Sequence, residues 1–313
     1  MLVNLEHVEN AHAAGDPQAV DLLLQVISAP PDPNQPPPRE GTYGFDAFLK
    51  EISRPKFYKQ PAEIQALQRQ EKLKAVEAND PDDIHPRYRS HEFIYRLWES
   101  AQPFDRKCLL EIIRRVPLVY GPWKALKAIF KEAESREDTE VMGALAARFD
   151  VAFSSGQHSV SNRTLGYLTR RAWRYLRQLA KTLPACYADR VVDFLVPFPD
   201  SYPGPEQGWL WNQIFHHDQK AHGRSRFRSS YRWKRTTPVN YHTSRAFPEL
   251  WKRSPLPLFE LLQRAQNTKV LKYAVAALKT DFRTVLRAVE PVWVRQLIYR
   301  DNATVHELSL IHI

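Results

Sequence analysis

Glycine is scarce in this chain, with 10 residues in 313. That argues against a many-turned β fold, where tight turns call on glycine repeatedly. Cysteine is scarcer still, with two residues, Cys108 and Cys186. Each sits inside an apolar helical pattern, so both are expected to be buried, reduced thiols rather than a disulfide. No apolar run approaches the ~20 residues that a membrane-spanning helix needs. The first residues carry no basic segment of the signal-peptide kind, and Glu6 and Glu9 come early. A soluble, cytoplasmic protein is the expectation.

The motifs of common catalysts are missing too. There is no glycine-rich phosphate loop, no Gly-x-Ser-x-Gly elbow, no His-Glu-x-x-His pair and no Cys-x-x-Cys pair. Acidic residues are plentiful, yet no pair stands out from ordinary surface charge. His216, His217, His222 and His242 cluster near Asp218, but their spacing is not that of a known ligand set. No catalytic residue, metal site or cofactor is expected, and neither is a small-molecule substrate.

What is abundant is helix-forming residues and, unusually beside them, 24 prolines. Proline cannot sit comfortably in a helix interior, so the combination predicts many short helices with abrupt boundaries. Residues 1–28 read as N-terminal helix, with Asp16-Pro17 as a cap and Val20, Leu23, Leu24 and Ile27 along one face. Residues 29–41 form a proline-rich linker. Residues 42–90 hold short helices and a polar helix over 60–78. From residue 91 to 307 the pattern becomes regular. Helices are predicted near 91–100, 105–116, 123–134, 139–149, 163–181, 186–196, 256–266, 269–279, 282–289 and 291–299. Helices this short cannot each bury a face alone, but stacked hairpins can. An Asp or Asn followed by a buried-face Val recurs at Asp16…Val20, Asp138…Val141, Asn267…Val270 and Asp301…Val305. The fold class expected is therefore all-α: an α-solenoid of stacked HEAT-like helical hairpins. One long irregular excursion, rich in basic and aromatic residues, interrupts it over 205–253.

The stretches SREDTEVMGALAARFD (135–150), YLTRRAWRYLRQLAK (167–181), DFLVPFPDS (193–201) and AFPELW (246–251) occur in this order. Together they resemble bacterial HEAT-like helical proteins that often carry a WGR domain, over roughly residues 105–310. The resemblance implies an α-solenoid without a catalytic site, in nucleic-acid-linked or regulatory roles. This chain has no Trp-Gly-Arg tripeptide and no β-rich N-terminal module, so roles that depend on that domain do not carry over. Residues 308–313 are similar to the translation of a sequencing adapter. The expectation from them is a non-native tail, with the natural chain continuing beyond about residue 307.

The net charge of +10 is local. Residues 163–181 hold six basic residues and no acid; residues 209–236 hold seven basic residues against Asp218, so the two stretches carry +12 and the remainder −2. In the first, Arg163, Arg170, Arg174, Arg177 and Lys181 face away from an apolar stripe of Leu165, Leu168, Ala172, Leu176 and Leu179. That face could run along a phosphate backbone, stay solvated, or pair with Glu132, Glu134 or Glu137 of an adjacent helix. In the second, Arg224, Arg226, Arg228, Arg232, Lys234 and Arg235 alternate with Phe227, Tyr231 and Trp233. Basic residues interleaved with rings suit single-stranded nucleic acid, a loop tucked onto the solenoid, or an acidic protein partner. Trp98, Trp123, Trp173, Trp251 and Trp293 read as anchors between helices. The functional expectation is a non-enzymatic scaffold that binds a protein partner in the solenoid groove. Nucleic-acid binding through 163–181 and 209–236 is the alternative, and a helical-repeat DNA-modifying enzyme, built on Trp209, Trp211 and Asp218, is the remote one.

Overall fold

A computed structural model describes residues 3–29, 43–52, 54–79, 89–156, 158–202, 208–215, 241–288, 302 and 304–306. Among these residues there are helices and no strands. The helices are α1 (Leu5–Ala13), α2 (Gln18–Ser28), α3 (Phe45–Ile52), α4 (Pro55–Tyr58), α5 (Ala62–Asn79), α6 (Ser90–Glu99), α7 (Pro103–Arg115), α8 (Pro122–Ser135) and α9 (Thr139–Ser155). They continue as α10 (Asn162–Thr182), α11 (Tyr187–Leu195), α12 (Trp209–Phe215), α13 (Tyr241–Ser244), α14 (Pro248–Trp251), α15 (Leu256–Arg264), α16 (Thr268–Asp281) and α17 (Arg283–Arg287).

The prolines explain many of these boundaries, but mostly by opening helices. Pro103, Pro122 and Pro248 occupy the first helical position, where a missing N–H costs nothing. Two of the recurring Asp/Asn residues act as caps. The Asp138 side chain accepts from the Val141 N–H at 3.1 Å, and Asn267 accepts from Lys269 and Val270 at 3.0 and 3.3 Å. Asp16 accepts instead from the Gln18 N–H at 2.8 Å, in the break that splits residues 1–28 into α1 and α2.

Helices α2, α7, α9, α11 and α15 pack in succession, each on the next. On the other side α6 packs on α8, and α8, α10 and α12 all pack on α9. This packing is consistent with an α-solenoid. A single hydrophobic core runs through it from Val8 to Val305, and Trp98, Trp123, Trp173 and Trp251 are buried within it. A satellite core of Phe48, Ile52, Phe57 and Val76 belongs to α3–α5, with Tyr120 packed against it. No helix of the described residues is long and apolar enough to cross a membrane.

Helix α9 is the hub. Ten of its seventeen residues are buried, and it touches α7, α8, α10, α11 and α12. Two local devices make this possible. At Gly143 the backbones of α9 and α11 meet: an added Cβ would lie 2.3 Å from the Asp193 carbonyl oxygen and 2.9 Å from the Phe194 nitrogen. At Asp150 a fully buried carboxylate accepts from the Trp209, Leu210 and Trp211 N–H groups at 2.9, 3.0 and 3.2 Å, and from the Tyr202 hydroxyl at 3.1 Å. The start of α12 is thereby tied to α9 through donors that a short helix otherwise leaves unpaired.

Two expectations need correction. Cys108 is buried, but Cys186 is exposed, because it ends the 3-10 turn Pro184–Cys186 and not the apolar face of a helix. The stretch 205–253 is not irregular throughout. Residues 209–215 form α12, with Trp209, Leu210, Trp211, Ile214 and Phe215 in the core, and α13 and α14 close the segment. All seven residues of this short helix are buried, so it lacks the one-sided apolar stripe by which a helix is read from sequence. Residues 216–240, 289–301 and 307–313, Trp293 among them, lie outside the described residues, as does the linker over 30–42.

The α9–α11 crossing makes a sharp prediction. Gly143→Ala should lower unfolding stability by about 2 kcal/mol or more in urea titrations, because rigid backbone is in the way. Gly166, inside α10, offers the contrast: its added Cβ would meet only the Arg170 and Phe153 side chains, at 3.4 and 3.5 Å. Gly166→Ala should be neutral or stabilising by up to about 1 kcal/mol. Equal losses at both positions would contradict this account of the crossing.

Candidate binding groove

The row α7, α9, α11 and α15 leaves a cleft of about 210 Å³ along its face. Its apolar lining comes from Leu110 and Ile113 on α7, Ala144 and Val151 on α9, and Val196, Pro197 and Pro199 beyond α11. Ala144, Arg148 and Val151 fall on one stripe of α9 at helical spacing. Pro197 and Pro199 cannot continue α11, and just beyond its end they line the cleft. Arg114, Glu140, Arg148, Asp193, Arg264 and Gln266 supply its polar lining.

Most of these charges are already engaged. Arg106 holds Glu140 at 2.8 Å and Asp138 at 2.6 Å. Arg114 pairs with Glu111 at 2.7 Å. Asp193 accepts from the Thr139 hydroxyl at 2.6 Å and pairs with Arg264 at 3.3 Å; Arg264 also pairs with Glu260. Burial pushes the Asp193 carboxyl upward, with Thr139 and Arg264 opposing.

Arg148 is different. One terminal nitrogen, Nη2, donates to the Val116 carbonyl at 3.0 Å. Its Nε is buried without a hydrogen-bond partner, and no carboxylate among the described residues pairs with it. Burial alone lowers its pKa. The groove therefore has an apolar floor and one guanidinium with donor capacity to spare, a combination suited to an apolar group carrying a carboxylate.

The basic face expected on residues 163–181 is present on α10. Arg163, Arg170, Arg174, Arg177 and Lys181 are all exposed. Arg174 lies over the Tyr167 ring, 5.7 Å from its centroid. Glu134 of α8 pairs with Arg171 and not with the exposed row. This face belongs to α10, whereas the groove is lined from α7, α9, α11 and α15, so the two are distinct. Arg224, Arg226, Phe227, Arg228, Tyr231, Arg232, Trp233, Lys234 and Arg235 lie outside the described residues, as do His216, His217, Asp218 and His222. His242 bonds Asp281 at 2.9 Å, and the buried Arg245 reaches the same carboxylate at 2.7 Å. Among the described residues no three or more His, Cys, Asp or Glu side chains converge as a metal cage would.

Comparison with known protein families, with curated proteins and with solved structures finds no match to this chain.

The groove residues were not singled out by sequence pattern. One signal was available: Arg148 interrupts a helix that is apolar nearly all round, from Val141 to Ala152. Arg148 and Asp150 are the two charges in that stretch, and such a charge either finds a partner inside, as Asp150 does, or lines a cleft.

The ion pairs beside the groove carry a pH prediction. Burial pushes the Asp138 carboxyl up, but Arg106 and the Val141 N–H outweigh it, so its pKa is lowered on folding. The unfolded chain then binds the proton more readily. The contribution is present above the ordinary aspartate range, near about 3.9, and is lost as pH falls below it. Urea midpoints at pH 7 and pH 3 should differ less in Arg106→Gln than in the wild type. An unchanged difference would show that the pair contributes nothing to acid sensitivity.

Proposed function

We propose that this chain is a non-enzymatic scaffold, a HEAT-like α-solenoid that docks a protein segment in the groove along α7, α9, α11 and α15. The observation that carries this reading is Arg148: a half-buried guanidinium without a carboxylate, in the floor of an apolar cleft. Leaving such a charge unsatisfied costs stability unless a ligand completes it. A partner with apolar residues flanking an Asp or Glu would cover the cleft and supply the missing anion.

Selection from a displayed random-peptide library tests the reading. Enriched peptides should carry Asp or Glu between apolar residues. Ala144→Trp, which fills the cleft, should abolish their binding, and Arg148→Met should weaken it by roughly tenfold, about 1.4 kcal/mol. Peptides that bind Ala144→Trp as well as they bind the wild type would overturn the proposal, as would a selection that enriches nothing.

A second reading rests on α10. Its exposed row Arg163, Arg170, Arg174, Arg177 and Lys181 presents five cations on a helix that contains no acid. With the basic excursion, this row would give a polyanion footprint. Fluorescence anisotropy with labelled single- and double-stranded DNA and RNA, over a salt series, measures it. Binding should weaken steeply with salt and fall when Arg170, Arg174, Arg177 and Lys181 are changed to Ser. Absence of binding at low salt would end this reading.

A further inference from the structure

The solvent side of α10 is a single stripe with an aromatic ring set into it. Between positions 163 and 181 the exposed residues are Arg163, Tyr167, Arg170, Arg174, Arg177 and Lys181, with Gln178 beside them. The first six recur at alternating steps of four and three, the spacing that lines side chains up along one face of a helix. At about 1.5 Å of rise per residue the stripe is about 27 Å long. Its five cations are left without carboxylate partners among the described residues, since Glu134 of α8 is taken by Arg171 at the edge of the face.

Tyr167 is held within this row by its neighbours. Arg171 donates from Nη1 to the Tyr167 hydroxyl at 3.3 Å, and donates from Nε to Glu134. Arg174 lies over the Tyr167 ring, 5.7 Å from its centroid. The carboxylate anchors Arg171, and the two guanidiniums in turn fix the phenol. Even so, Tyr167 is 41% exposed. The packing of α10 is carried by Leu165, Leu168, Ala172 and Leu176 on the opposite side, so the ring serves no core. A row of like charges suits a ligand whose negative charges also follow one another in a line. An oriented, half-exposed ring among them suits a flat, unpaired group on that ligand, because a base stacks on a ring only when it is free of its own duplex.

Building on the polyanion reading of α10, we propose that this face is a track for single-stranded nucleic acid, with the Tyr167 ring as the platform for one base and Arg163, Arg170, Arg174, Arg177 and Lys181 along the phosphates. The charges supply strength without regard to strandedness, and Tyr167 supplies the preference for a single strand.

Fluorescence anisotropy with labelled oligothymidylate, its duplex with oligoadenylate, and inorganic polyphosphate as an unlabelled competitor tests it. The single strand should bind the wild type more tightly than the duplex, with a slope of log affinity on log salt of about −3, as four or five phosphate contacts give. Tyr167→Ala should bind the single strand roughly tenfold more weakly. Its salt slope should be unchanged, because no charge is lost. Tyr167→Phe, which keeps the ring, should stay within about twofold of the wild type. Polyphosphate has no bases and should bind wild type and Tyr167→Ala alike, which separates loss of the platform from loss of the fold. Equal single-strand affinity in Tyr167→Ala and wild type would overturn this inference alone and leave the polyanion reading standing. So would a duplex that binds more tightly than the single strand, or a Tyr167→Ala loss that is as large for polyphosphate. A wild type that binds none of the three polyanions at low salt would end both.

Discussion

The contact of two backbones at Gly143 is the constraint on which the rest of this structure depends. Because α9 carries no side chain there, α11 can lie against it, with the Asp193 carbonyl where a Cβ would otherwise be. That close approach brings Asp193 within reach of Thr139 and Arg264, and so sets α15 beside α11. It also fixes the spacing of the row whose outer face is the groove. At the far end of the same helix Asp150 accepts four donors and draws α12 in. One helix thus organises both layers, and its single outward-facing guanidinium, Arg148, lies where the row opens.

Local chemistry made the helices legible in the sequence. Caps at Asp138 and Asn267, prolines at first helical positions, and apolar stripes such as Leu165, Leu168, Ala172, Leu176 and Leu179 are each determined within a turn or two of chain. The exposed row of α10 could be read for the same reason, since a helix with one apolar face must turn its arginines the other way. Asp16-Pro17 was legible as a helix boundary, but Pro17 and not Asp16 stands at the N-cap of α2, and the division of residues 1–28 into two helices depends on how α1 folds back on α2.

What escaped the sequence depends on neighbours distant in the chain. Cys186 follows an apolar pattern, yet a 3-10 turn started by Pro184 leaves it exposed. Trp209 and Trp211 resemble the aromatics of the basic stretch that follows them; the carboxylate that makes them core residues is Asp150, some sixty positions away. Arg148 could not be recognised as a groove residue until α7 and α11 were placed beside it.

Hydrogen exchange of the chain, with and without a saturating library-selected peptide, tests the central claim most directly. If a protein segment docks in the groove, added protection should concentrate in α7, α9, α11 and α15, including the turn from Val196 to Pro199, and leave α6 and α10 unchanged. Protection confined to α10, or spread evenly over the chain, would contradict the claim that the groove built on α9 is the docking surface.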